Sequence, residues 1–70
     1  KDRLVLKNKV GKTISIIPTV SSVLSLSGFK YPLSMFEVTV GSTRGISNIA
    51  ECDRAEIVVH SGSVLVFVNE

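Results

Sequence analysis

Seventy residues with a net charge of +2 and 44% apolar side chains make one small domain. A single cysteine, Cys52, excludes an internal disulfide, and with His60 as the other soft ligand a tetrahedral zinc site is excluded too. A chain this short buries only about 60% of the surface its unfolded form exposes, so association with other chains is the expected support.

The first dozen residues hold Lys1, Arg3, Lys7, Lys9 and Lys12 against Asp2, whereas four of the six acids follow residue 50. A basic stretch of this kind faces phosphates or simply solvates an apolar domain, and solvation is the plainer reading. Residues 2–8 fit either a short helix capped by Asp2 or a strand with Leu4 and Leu6 on one face. No run approaches the roughly 18 apolar residues of a membrane span, and no signal peptide is expected at the start. The chain opens without methionine, which is compatible with upstream residues.

Thr13-Ile14-Ser15-Ile16-Ile17 alternates and is β-branched, so it predicts a strand ending at Pro18. Residues 22–29 have both helical and alternating spacing; four serines between 21 and 27 favour strand. A further strand is expected over 33–40, then a turn at Gly41-Ser42-Thr43-Arg44-Gly45 and a loop or irregular extension over 46–54. Glu56 to Val59 and Val64 to Val68 predict two strands joined by the hairpin His60-Ser61-Gly62-Ser63.

Val64 to Val68 and Ile57 to Val59 are continuously apolar, a pattern normally found where both faces are covered. An apolar strand left at an edge promotes aggregation, so a second copy of the chain is expected to cover and pair with it. Phe29, Phe36 and Phe67 lie in or beside apolar strands and are expected in the core.

Val10-Gly11-Lys12-Thr13-Ile14, then Gly28-Phe29-Lys30-Tyr31-Pro32-Leu33-Ser34-Met35, then Val59-His60-Ser61-Gly62-Ser63-Val64 follow the spacing of the two motifs of Sm-like (LSm) proteins. The chain resembles that family over roughly residues 4–68. The resemblance implies a mostly β fold: a short N-terminal helix and a strongly bent five-stranded antiparallel sheet, forming an open barrel. It further implies a closed homo-oligomeric ring joined through the last two strands, with a pore that binds single-stranded RNA. Carried over residue by residue, the nucleic-acid site comprises Lys30, Tyr31, Ser34, His60 and Ser61. The family's polar signature is altered at these positions, with Lys30 in place of an acid and His60 in place of an arginine. A ring scaffold that binds no nucleic acid is the alternative.

Catalysis is not expected. Ser61 and Ser63 near His60 lack an orienting acid, Cys52 stands between Glu51 and Asp53, and no phosphate-binding glycine loop is present. No cofactor, metal, membrane or small-molecule substrate is expected, and the unpaired cysteine suits an intracellular setting.

Overall fold

The computed structural model describes residues 2–40 and 46–69. Seven strands run β1 Asp2–Lys7, β2 Thr13–Pro18, β3 Ser22–Ser27, β4 Leu33–Val38, β5 Ile46–Ile49, β6 Arg54–Ser61 and β7 Val64–Asn69. They form two antiparallel sheets, one ordered β1-β6-β3-β4 and the other β5-β2-β7. The expected turn at 41–45 lies outside the described residues.

The core lies between the sheets and follows the period-two rule of strands. Leu24, Leu26, Ala55, Ile57 and Val38 come from the four-stranded sheet, and Ile14 and Ile16 from the three-stranded one. Val64, Val66 and Val68 of β7 pack against this cluster.

Several expectations require correction. The N-terminal segment is a strand: no helix occurs among the described residues, and none there is long and apolar enough to cross a membrane. Six residues make a poor isolated helix, whereas pairing along β6 satisfies the backbone and places Leu4 opposite Ile57 and Leu6 opposite Ala55. Arg3 and Arg54 both reach Glu56 on the opposite face, at 3.5 and 2.8 Å. Residues 46–54 hold β5, which takes its conformation from β2 through the pairs Ile46–Ile16 and Thr13–Ile49. A single bent sheet of five strands is thus replaced by two packed sheets.

The apolar run in β6 has an internal explanation. This strand lies between β1 and β3, so neither of its edges is open to a sister molecule, and Val58 is half-buried among its neighbours. Strand β7 does not form the expected hairpin with β6: the chain crosses at Gly62 and Ser63 to the other sheet, where β7 pairs with β2. It alternates after all, with Leu65 and Phe67 about half exposed on the outer face. Phe29 is buried, but Phe36 and Phe67 are not core residues. Phe36 belongs to β4, an edge strand of its sheet among the described residues, and is 45% exposed.

Candidate functional site

The connection from β3 to β4, residues 28–32, is strung along residues 48–52. Gly28 has φ +80°, and its carbonyl accepts the N–H groups of Glu51 (2.9 Å) and Cys52 (3.2 Å). A methyl group there would lie 2.6 Å from the Arg54 carbonyl oxygen, so backbone packs directly on the glycine. Phe29 forms a β-bridge with Ala50, and Lys30 N–H donates to the Ile49 carbonyl at 2.8 Å.

Asn48 continues this ladder with its side chain. Its Oδ1 accepts from the N–H of Tyr31 at 3.1 Å, and its Nδ2 donates to the Tyr31 carbonyl at 2.7 Å. Oδ1 also accepts from Ile49 N–H at 2.9 Å. Asn48 is 3% exposed, so its amide is committed to the protein, while Tyr31 as a residue is 59% exposed. The ammonium of Lys30 stands 5.5 Å from the Tyr31 ring centroid, within cation–π range. An anchored aromatic ring of this kind offers a π-face to a flat or cationic ligand.

The other sequence-derived residues are held differently. His60 Nε2 lies 2.9 Å from Ser25 Oγ, and Ser25 Oγ accepts the N–H of Met35 at the same distance. The imidazole is therefore tied to Ser25, not to Ser61 or Ser63. Ser34 is exposed on β4 beside Met35, which has the left-handed φ of 50°. Ser61 closes β6 opposite Val23 and is exposed. Ser63 ties down the turn between β6 and β7: its N–H donates to Ser22 Oγ, and its carbonyl accepts from Thr19. Lys30 and Tyr31, neighbours in sequence, thus share the β3–β4 connection, Ser34 follows on β4, and His60 and Ser61 lie at the end of β6. A crevice of about 180 Å³ lined by Asp2, Arg3, Leu4, Ile57, Val59 and Val66, among others, contains none of the five.

Asn48 and Ser25 were not singled out from sequence. The available signal for Asn48 was an amide inside a short isoleucine-flanked run, where a buried polar group requires a partner.

Residues 3–64 match the model of the thiamin pyrophosphokinase vitamin B1 binding domain, and the chain belongs to that family. A solved structure, thiamine pyrophosphokinase from Bacillus subtilis, superposes with a TM-score of 0.74 at 33% identity. The superposition covers 96% of this chain and 32% of that one, so the chain spans about a third of that protein's length. Comparison with curated protein sequences gives no match.

These findings overturn the Sm-like reading, and with it the RNA-binding ring, the scaffold alternative and the exclusion of a small-molecule ligand. They also overturn the non-enzymatic reading, since both matches carry the name of an enzyme. The physical reason is that the shared residues are generic β-connection devices. Gly28 supplies a positive φ, Phe29 fills the core and Gly62 turns the chain from one sheet to the other, as any compact β domain requires.

Proposed function

We propose that this chain is a single unit supplying the vitamin-contacting surface of a thiamin pyrophosphokinase, with Tyr31 and Lys30 at its centre. The observation that carries the reading is the exposed Tyr31 ring on a backbone anchored by Asn48. Thiamin pairs a flat pyrimidine with a permanently cationic thiazolium. Both suit the face of an aromatic ring, one by stacking and the other by cation–π attraction.

Lys30 sharpens this reading. Its ammonium occupies one approach to the ring, so a cationic ligand takes the other face or displaces the lysine. Ser34, exposed two residues beyond Pro32, offers a hydroxyl near the same connection. His60 and Ser61 stand outside the proposed contact surface. An intracellular setting, where the exposed thiol of Cys52 stays reduced, accompanies the proposal.

The test is calorimetric titration of the full polypeptide with thiamin, before and after Tyr31→Ala. Loss of the ring is expected to weaken binding by about 1–3 kcal/mol, by analogy with aromatic stacking on bases. Equal affinity in the two proteins would exclude Tyr31 from the site.

A further inference from the structure

We propose that Asn48 is the positioning residue for Tyr31: its buried amide fixes the backbone from which the ring is presented to the ligand. The proposal rests on the vitamin-site reading above and adds a residue that touches no ligand itself.

The geometry is specific to an amide. The N–H and C=O of one extended residue point to the same side, and a partner for both needs one acceptor and one donor side by side. Asparagine offers that pair, aspartate offers two acceptors and serine a single hydroxyl. Turning the amide over would set Oδ1 against the Tyr31 carbonyl and Nδ2 against its N–H, so only the observed orientation satisfies both bonds. The third bond, from Ile49 N–H, holds Oδ1 within its own strand.

Neighbouring contacts leave the Tyr31 backbone little freedom. Lys30 N–H is tied to the Ile49 carbonyl, and the residue preceding a proline is confined to extended conformations. Asn48 closes the remaining gap. It acts as one further rung after the Phe29–Ala50 bridge, built from a side chain where no strand continues. Because Asn48 is 3% exposed, water does not compete for these bonds, and the ring's attachment point is set before a ligand arrives.

A double-mutant cycle on the full polypeptide, read by thiamin titration, tests the idea. Asn48→Ala is expected to weaken thiamin binding roughly five- to tenfold, a coupling of the size seen between residues in contact. The same change made in a Tyr31→Ala background is expected to have no further effect on affinity. If Tyr31→Ala alone leaves binding intact, the vitamin-site reading fails. If Tyr31→Ala weakens binding but Asn48→Ala weakens it equally with and without the tyrosine, the positioning role fails and Asn48 is merely structural.

Should Asn48→Ala not fold, the unmodified protein answers the question. In the ligand-free protein the Tyr31 amide, bonded to Asn48 Oδ1, is expected to exchange nearly as slowly as the Ile14 and Ile16 amides in the core. Rapid exchange at Tyr31 in the free protein, with Ile14 and Ile16 protected, would overturn the proposal.

Discussion

Ser25 Oγ stands between His60 Nε2 and the backbone N–H of Met35, 2.9 Å from each, and so links β6 to β4 across β3. The link sits at the register shift between Leu24 and Leu26, where Met35 takes a left-handed backbone that side chains disfavour. A serine is suited to the position because its oxygen accepts the amide while the same hydroxyl can give a hydrogen to the imidazole or take one from it, as the tautomer requires.

Ser25→Ala removes both contacts at once and is expected to cost about 0.5–1.5 kcal/mol. His60→Ala leaves the serine–amide bond in place and should cost less, while Met35→Gly relieves the left-handed backbone and should stabilise by up to about 1 kcal/mol. Urea unfolding midpoints order the three. A larger loss for His60→Ala than for Ser25→Ala would show that the imidazole, not the hydroxyl, holds the irregular segment.

A second expectation separates space from backbone conformation. Gly11 and Gly28 have nearly the same φ, +84° and +80°, but a methyl group at Gly11 meets nothing within 4 Å, whereas at Gly28 it meets the Arg54 carbonyl at 2.6 Å. Gly11→Ala should therefore cost only about 1 kcal/mol, the conformational penalty alone. Gly28→Ala adds overpacking and should cost about 2–4 kcal/mol in total. Thermal unfolding of the two variants measures the difference; equal costs would mean that the close approach at Gly28 relaxes freely.

The third concerns β7. Its outward side chains, Leu65 and Phe67, are about half exposed, whereas Ile57 in β6 is 1% exposed. Ile57→Ala is expected to cost about 2–5 kcal/mol, as for other buried aliphatics. Leu65→Ser should stay within about 0.5–1 kcal/mol, near the usual range of surface changes. A core-sized loss at Leu65 would indicate that its face is covered in solution.

This contrast also explains what was legible beforehand. Thr13 to Ile17 alternates visibly, and the turn at Gly62 has apolar flanks, so β2, β6 and β7 are apparent from local pattern, but the expected pairing of β6 with β7 gives way to a crossing between sheets. Strand β5 is not: Ser47 and Asn48 are poor β formers, and the segment is ordered by pairing with β2. The N-terminal strand is settled in the same way by the open edge of β6. The apolar run in β6 has two explanations from sequence, a partner copy or a central place in its own sheet, and only long-range pairing with both β1 and β3 decides between them.

The site follows the same division. Lys30 and Tyr31 stand out as a basic and aromatic pair at a connection, but nothing local says that Asn48 grips their backbone, because that grip exists only once β5 is in place. The Sm-like resemblance rested on the spacing of glycines and apolar residues, and spacing of that kind reports turns and core more than chemistry.

The vitamin-contacting role of Tyr31 is tested most directly by nuclear Overhauser contacts between bound thiamin and the aromatic protons of this chain's one tyrosine, in the full polypeptide at ligand saturation. The account predicts contacts from the pyrimidine or thiazolium protons to the Tyr31 ring. Saturated binding in which those protons contact other side chains and leave the Tyr31 ring untouched would contradict it.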